Sequence, residues 1–134
     1  MMPRSFVKVF VYAPLSPATR AVDGRVFDDP LAELLKAIGA MADRGVGVVG
    51  NYDNVSFTFA AGTGRYRAIP GSSANPTMGE IGKVHSEEEV VVTFTAPKDQ
   101  LDIVVAAIRD HHPYEMPGID VFDLARFTGD GLAP

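Results

Sequence analysis

Apolar and polar residues alternate in several short segments of this chain, and alternation of that kind predicts β-strands. In the segment FVKVFVY at 6–12, Val7, Val9 and Val11 share one face, while the opposite face is also largely apolar. A strand that is apolar on nearly both faces is more typical of the centre of a sheet than of its edge. Further strands are predicted at 54–59, 65–69, 89–95 and 119–127.

Two other segments repeat apolar residues at helical spacing. The first begins after Asp29, a favourable N-cap, with Pro30 at the first helical position and Gly45 as a left-handed stop. The second begins near Pro97 and ends before Pro113, because the residue preceding a proline avoids helical backbone angles. The chain is therefore predicted to contain two helices as well as its strands.

The order of these elements is β-α-β-β-β-α-β, and the central strand at 65–69 is short. We interpret 54–69 as a hairpin whose turn is AAGTG, which reduces the order to βαββαβ. This predicts an α+β, ferredoxin-like fold with an extra hairpin, formed by a single domain of 134 residues with 13–29 as an inserted loop. One face of the sheet then lacks cover, and outward aromatics such as Phe10 and Tyr12 favour oligomerisation through it.

Composition and charge narrow the range of functions. The chain has no cysteine, which excludes disulfides, thiolate zinc sites and cysteine nucleophiles. Its net charge is −5 and its Lys and Arg residues are scattered, whereas a nucleic-acid surface needs a basic patch. No apolar run approaches the roughly 18 residues of a membrane span, and no signal segment opens the sequence. We therefore predict a cytoplasmic protein that binds neither nucleic acid nor membrane.

The string HHPYE near the end of the second helix contains the clearest candidate metal ligands. Imidazole and carboxylate groups suit zinc or copper, so we consider His112 and Glu115 together with His111, and His85 as a further ligand across a subunit boundary. The cofactor would then be a divalent metal ion. In the alternative interpretation, His112 and Glu115 hydrogen-bond the backbone where the helix turns into a strand, and His111 faces solvent near the negative end of the helix. Pro113 favours this alternative because it interrupts helical spacing.

Two glycine-containing stretches are further candidates for binding. Gly62 and Gly64 could cradle a phosphate with Arg65 and Arg67 as charge partners, but no Gly-Lys-Ser/Thr ending and no helix follow them. A tight hairpin turn explains both glycines better. The loop at 70–82 is longer than most, which is typical either of an adaptable binding element or of a surface loop that braces its neighbour.

Four strings occur in a characteristic order along the chain. They are GVGVVGNYDNVSF at 45–57, GTGRYRAIPGSSANPTMGEIG at 62–82, Glu89 at the start of a strand, and HPYEMPGIDV at 112–121. Together they resemble the YqfO-type insert domain of the NGG-interacting-factor family, whose fold is similar to the CutA and PII-like trimers. The most specific parts are the His-Pro-Tyr-Glu and Gly-Asn-Tyr…Ser-Phe strings. The resemblance implies a homotrimer that binds a small ligand or a metal ion in clefts between subunits.

This chain also departs from the family pattern. Met116 stands where the family usually has a second acid, His111 where it commonly has alanine, and Val55 where it commonly has cysteine. Longer members flank the insert with two halves of a dinuclear-metal domain, whose histidine and carboxylate ligands have no counterpart in this sequence. The resemblance therefore implies an insert standing alone, and hydrolase activity is not expected to follow from the family name.

From these observations we predict a non-enzymatic, regulatory module of the PII/CutA type. No catalytic residue is predicted, and the identity of the ligand is left open. The alternative is a small metal-dependent hydrolase that uses the histidine and glutamate candidates named above. A third interpretation is a regulatory subunit that docks onto a separate metal-dependent partner. The predicted ligand-binding residues are Asn51, Tyr52, Ser56, Arg65, Asn75, Tyr114 and Glu115.

Overall fold

The computed structural model describes residues 4–125 and contains one main sheet, a small two-stranded sheet and two α-helices. In chain order the elements are β1 (Phe6–Pro14), β2 (Ala18–Thr19), β3 (Val26–Phe27), α1 (Pro30–Gly39), β4 (Phe57–Tyr66), β5 (His85–Pro97), α2 (Leu101–Asp110) and β6 (Ile119–Leu124). Short 3-10 helices follow α1 at Ala42–Arg44 and precede α2 at Lys98–Gln100. None of the described helices is long and apolar enough to cross a membrane.

The main sheet has the strand order β4-β5-β1-β6, and its neighbouring strands are all antiparallel. Without the small β2–β3 hairpin, the order along the chain is βαββαβ, so the predicted α+β, ferredoxin-like fold is confirmed. β1 lies between β5 and β6, as its two apolar faces indicated. The last predicted strand, 119–127, is observed as far as Leu124, and its final two positions lie outside the described residues.

Local interactions explain the start of α1, the end of the 3-10 helix that follows it and the end of α2. The Asp29 side chain accepts a hydrogen bond from the Ala32 backbone N–H at 3.0 Å, which caps the start of α1. The chain leaves the following 3-10 helix at Gly45, whose φ of 82° lies in the left-handed region that favours glycine. α2 ends at Asp110, before the proline that was expected to stop it.

The hydrophobic core lies between one face of the sheet and the two helices. Alternate residues of β1 and β5 point toward the helices. The helices pack against them with side chains spaced four positions apart, Leu34 and Ile38 from α1 and Val104 and Ile108 from α2. Burying each large aliphatic or aromatic side chain stabilises the fold by about 1.5–3 kcal/mol. The large apolar side chains that are fully buried include Phe94, Leu34, Ile38, Ile108, Val7, Val9, Val11, Val46, Val92 and Val104.

The hairpin predicted over 54–69 is wrong, because β4 is one strand that pairs with β5 along its length. A bulge between Phe59 and Gly62 absorbs an extra residue without reversing the chain. Neither Gly62 nor Gly64 has a positive φ. Position 64 requires glycine for another reason: a Cβ there would clash with a carboxylate oxygen of Glu89. The glycine leaves room for a side chain rather than for a turn.

The segment at 13–29, predicted as an inserted loop, contains the β2–β3 hairpin and reaches the carboxyl end of α2. The Arg20 guanidinium is buried and donates to the carbonyl oxygens of Arg109 and His112, at 2.9 and 3.1 Å. Arg25 donates to the carbonyl of Asp110. The last carbonyls of a helix lack partners within the helix and carry partial negative charge, so the two arginines satisfy and neutralise them.

The opposite face of the sheet has no helix against it in the described structure. Strand pairing places Phe10 and Phe57 on that face, since both pair with Thr93. Phe10 packs edge-on against Phe122 with ring centroids 5.4 Å apart. Phe57 and Phe122 are nevertheless 62% and 57% exposed, so the predicted open aromatic face is present.

Candidate functional site

A cleft of about 510 Å³ lies on the open side of the sheet, at the end where β4 and β5 extend beyond β1. Its walls are the end of β4, the connection at 67–84 and the corner at 114–118 that follows α2. Tyr12 contributes from β1. A volume of this size falls within the range of small-molecule binding sites in proteins.

The floor of the cleft is organised around Tyr114 and Glu89. The Tyr114 hydroxyl donates a hydrogen bond of 2.7 Å to Glu89 Oε2, and the other carboxylate oxygen lies against the backbone of Gly64. The Tyr66 ring stands edge-on to Tyr114 at 5.6 Å. Burial, followed by the hydrogen bond and charge of Glu89, raises the pKa of Tyr114 far above its usual value. Tyr114 is therefore a neutral phenol that holds Glu89 in place.

The long loop between β4 and β5 is fastened to the corner after α2. Glu115 Oε2 accepts the backbone N–H of Asn75 at 2.8 Å. Thr77 Oγ1 donates to the carbonyl oxygen of Pro113 at 2.6 Å. The loop thus braces its neighbour and forms one wall of the cleft at the same time, so the two interpretations offered for it are compatible.

His112 lies behind the cleft, and both of its ring nitrogens are occupied. Nε2–H donates to the carbonyl oxygen of Tyr12 at 2.7 Å, and Nδ1 accepts the backbone N–H of Tyr114 at 3.0 Å. Burial lowers the pKa of His112 to about 4, despite the opposing effect of the Tyr12 hydrogen bond, and the Arg20 charge lowers it further. The ring is therefore neutral and joins β1 to the corner, with no nitrogen left for a metal ion in this arrangement.

The other proposed metal ligands have separate partners. His111 Nδ1 donates to the carbonyl of Ala107 at 2.8 Å, and His85 Nε2 bonds Glu87 Oε2 at 2.9 Å. Among residues 4–125, no three histidines or carboxylates are grouped so that they could hold a metal ion. Metal binding by this set remains a prediction that requires donors from outside this part of a single chain.

The chain is similar to known proteins in both sequence and fold. The profile of the family described as CutA1 divalent ion tolerance protein matches residues 81–130. A protein of Mycobacterium leprae named GTP cyclohydrolase 1 type 2 homolog is 32% identical over 110 residues, covering 82% of this chain and 28% of that protein. The homologue of the same name in Listeria innocua is 35% identical over 100 residues, covering 74% and 26%. The chain thus spans little more than a quarter of these curated relatives.

A solved structure of a Bacillus cereus protein related to NIF3 superimposes with a TM-score of 0.68 and 26% sequence identity, covering 94% of this chain and 27% of that one. The chain corresponds to the YqfO-type insert of the NGG-interacting-factor family. CutA1 from Ehrlichia chaffeensis matches with a TM-score of 0.59 over 96% of this chain and 90% of its own, at 11% identity. That second likeness establishes the CutA-like fold of this insert.

The cleft brings together part of the predicted ligand-binding set. Arg65, Tyr114 and Glu115 line it, and Asn75 borders it through its backbone bond to Glu115. The remaining three candidates are exposed residues before β4 and do not line the cleft. Their role in a cleft between subunits stays a prediction. They are Asn51, Tyr52 and Ser56.

Sequence reasoning missed several residues that build the cleft. Tyr66 was placed in a returning hairpin strand, although it continues β4 and pairs with His85. Thr77 had no signal beyond its place in a long loop. Glu89 did carry a signal, since it matched the family pattern at the start of a strand. If Gly64 is attributed to a close side-chain approach and not to a turn, β4 continues and Tyr66 and Glu89 come to the same face.

Proposed function

We propose that this chain is a non-enzymatic CutA/PII-like binding module that holds a small ligand in the cleft between β4, the 67–84 loop and the corner after α2. The observation that supports this most directly is the convergence of Tyr66 with Tyr114 and Glu115, which come from a distant part of the sequence, around about 510 Å³ of space. Apolar walls with a few fixed polar groups are typical of small-molecule sites. Ligand binding would change the conformation of the loop, and a regulatory partner would recognise that change.

We also propose that the module works as a homotrimer in the cytoplasm, with the open aromatic sheet face covered by neighbouring copies. Phe57, Phe59 and Phe122 give that face an exposed apolar surface of the kind that marks interaction sites. Within residues 4–125, β4 and β6 are edge strands whose outer backbone groups have no partner in the main sheet. In such an assembly, the exposed residues before β4 would extend the cleft across a subunit boundary.

The assembly is tested by sedimentation combined with light scattering. A trimer has three times the 14.3 kDa mass of one chain, and we expect that species at micromolar concentration. Phe57→Ser should shift the distribution toward monomer, whereas Ile103→Ser, an exposed site on α2, should not. A wild-type monomer throughout the concentration range would contradict the trimer and every site that depends on it.

Ligand binding is tested by following backbone amide signals while a chemically diverse fragment library is added. We expect hits to move signals of residues around Tyr66, Tyr114 and Glu115. Gly64→Ala should weaken those hits, because its Cβ would displace the Glu89 carboxylate. Gly62→Ala is the matched control, since a Cβ there meets no atom within 4 Å. Hits that bind elsewhere, or equally well to both variants, would remove the cleft as the functional site.

The cyclohydrolase name of the curated relatives is not extended to this chain, which covers 28% of the Mycobacterium leprae protein. The metal-dependent hydrolase alternative would require His85, His111 or Glu115 to meet ligands from a second subunit. Elemental analysis of protein purified without an affinity tag separates the two functions. We expect sub-stoichiometric metal, unchanged by Glu115→Gln. A full equivalent of metal that is lost in this variant would favour the hydrolase.

A further inference from the structure

All the side-chain hydroxyl groups that line the cleft already donate their protons. Each bonds an acceptor within this chain, at distances between 2.6 and 3.2 Å. The pairs are Tyr12 to Asp120, Tyr66 to the carbonyl of Met78, Thr77 to the carbonyl of Pro113, and Tyr114 to Glu89. A hydroxyl that has donated its proton can offer a ligand only its oxygen lone pairs.

The two carboxylates of the cleft, like these hydroxyls, can offer a ligand only hydrogen-bond acceptors. Glu89 and Glu115 are acceptors only, and each already has one oxygen fixed, by the Tyr114 hydroxyl and by the Asn75 backbone N–H. Their second oxygens accept no further hydrogen bond within residues 4–125, and that of Glu89 lies beside Gly64, which also lines the cleft. The tyrosine rings add π faces that attract positive charge. This side of the cleft therefore suits a ligand that brings hydrogen-bond donors and a cationic group.

The arginines at the rim are less well placed to set the preference of the cleft. Alternation along β4 puts Arg65, which pairs with Ser86, on the opposite strand face from Tyr66, which pairs with His85. Arg67 already donates its Nε to the carbonyl of Gly82 at 3.0 Å. Neither guanidinium forms a hydrogen bond or ion pair with Glu89 or Glu115. Because neither arginine pairs with Glu89 or Glu115, the charge of these carboxylates can attract a ligand.

We propose that the cleft binds a small organic amine in its ammonium form, with the charged nitrogen at Glu89 and Glu115 and an apolar body against the tyrosine rings. This inference rests on the proposed function, because it names the ligand class of the same cleft. Charge-assisted hydrogen bonds to fixed carboxylates, together with cation–π contact, select an ammonium over a neutral donor of equal size. Holding the acceptors in place beforehand lowers the ordering cost of binding.

Three probes that share one apolar body and differ in charge test this. They are phenethylamine as its ammonium ion, 2-phenylethanol and 3-phenylpropionate, each added to the full chain at low ionic strength while amide signals and binding heat are measured. We expect the ammonium to bind about tenfold more tightly than the alcohol. Its affinity should fall as salt is added, because the attraction is electrostatic.

Glu89→Gln is the decisive variant. Its amide oxygen can still accept the Tyr114 hydroxyl, so the fold is retained while the charge is removed. We expect the ammonium to lose about tenfold in affinity and the alcohol to be little affected. Glu88→Gln is the matched control. Glu88 is exposed on the opposite face of β5, and its substitution removes the same charge from the chain. Its binding should equal that of the wild type.

The outcomes separate this inference from the proposed function. Preferential binding of 3-phenylpropionate in the cleft, weakened by Arg65→Gln, would overturn the ammonium preference and leave the cleft as a ligand site. Equal affinities for the ammonium and the alcohol, or equal losses in the Glu88 and Glu89 variants, would also overturn it. If none of the probes moves the signals of Tyr66, Tyr114 and Glu115, the amine is again rejected, while the fragment library judges the cleft independently.

Discussion

The two faces of the main sheet are made by the same strands but differ in how completely one chain covers them. On the helix side, Val9, Val92 and Phe94 are fully buried. On the open side, Phe57 and Phe59 are 62% and 48% exposed. Alternation within each strand separates these two populations residue by residue. One face therefore completes the fold of the chain, whereas the other is left exposed and is the face to which the proposed function assigns the ligand and the other copies.

The corner after α2 connects the two faces. His112 is buried and bonds the backbone of β1, while Tyr114, two residues later, points into the cleft. Pro113 lies between them and separates the end of α2 from the irregular path to β6. The string HHPYE therefore links the two faces: His112 stabilises the fold, and Tyr114 helps to form the cleft.

The largest expected difference between the faces concerns two phenylalanines. Phe94→Ala leaves a cavity under the helices and should lower the free energy of unfolding by about 3–5 kcal/mol. Phe59→Ala removes a half-exposed ring on the open face and should cost less than about 1 kcal/mol in the dissociated monomer. Urea denaturation of both variants, at a concentration below that at which copies associate, measures these values.

The same pair of variants sharpens the comparison when the protein concentration is varied. If the open face is covered by other copies, thermal stability of the wild type rises with concentration by mass action. Phe59→Ala should weaken that dependence on concentration. The Phe94→Ala protein that still folds should keep it. Equal unfolding costs for Phe94 and Phe59 in the monomer would contradict the division between a completed and an open face.

Local patterns in the sequence identified most of the helix-covered face. Alternation in β1 correctly placed Val7, Val9 and Val11 on one face, which is the buried one, and Asp29 correctly marked the start of α1. These features depend on periodicity and on contacts within a few residues, which a sequence displays directly. The open aromatic face followed from the same alternation, as Phe10 illustrates.

The cleft was less predictable because it depends on contacts between residues far apart in the chain. Tyr114 and Glu89 are separated by 25 positions, and Arg20 reaches the carbonyl of His112 across 92. The turn predicted at Gly64 was wrong, because a glycine that admits a neighbouring side chain looks the same in sequence as one that turns the chain. Glycine identity alone does not reveal which atom occupies the space.

The next largest effect is a pH dependence at the joint between the faces. The pKa of His112 is about 4 in the folded chain, against an ordinary 6.5, so the unfolded chain binds the proton more readily between these values. Stability should fall as the pH falls from about 6.5 to about 4, by up to roughly 3 kcal/mol from this group. Arg20 is the charged group that acts on the ring, and its positive charge opposes protonation.

Urea denaturation at pH 7, 5.5 and 4 measures this slope. His112→Gln should be less stable than the wild type at pH 7, because it loses the fit between Tyr12 and Tyr114. It should also lose this part of the decline with pH, since glutamine does not titrate. His111→Gln is the control, as the contacts of that ring are to the end of its own helix, at Ala107 and Asp110. An unchanged slope in His112→Gln would assign the acid sensitivity to other groups.

The smallest expected effect tests whether the segment at 13–29, predicted to be an insertion, supports the cleft from the covered side. Arg20→Met keeps the apolar stem but leaves the carbonyls of Arg109 and His112 without their donor. Losing such bonds to a buried charged group should cost about 1–3 kcal/mol. Arg25→Met removes a half-exposed pair with Glu33 and should cost less than about 1 kcal/mol.

Stability alone does not distinguish a support for the cleft from an ordinary surface brace, so the Arg20 variant needs a second measurement. Because the His112 carbonyl lies two residues before Tyr114, releasing it should loosen the corner and move the amide signals of Tyr114 and Glu115. Arg25→Met, whose bond ends at Asp110, should leave those signals in place. If both variants move them equally, or neither does, the segment at 13–29 stabilises α2 without positioning the cleft, and the two faces of the sheet are independent at this end.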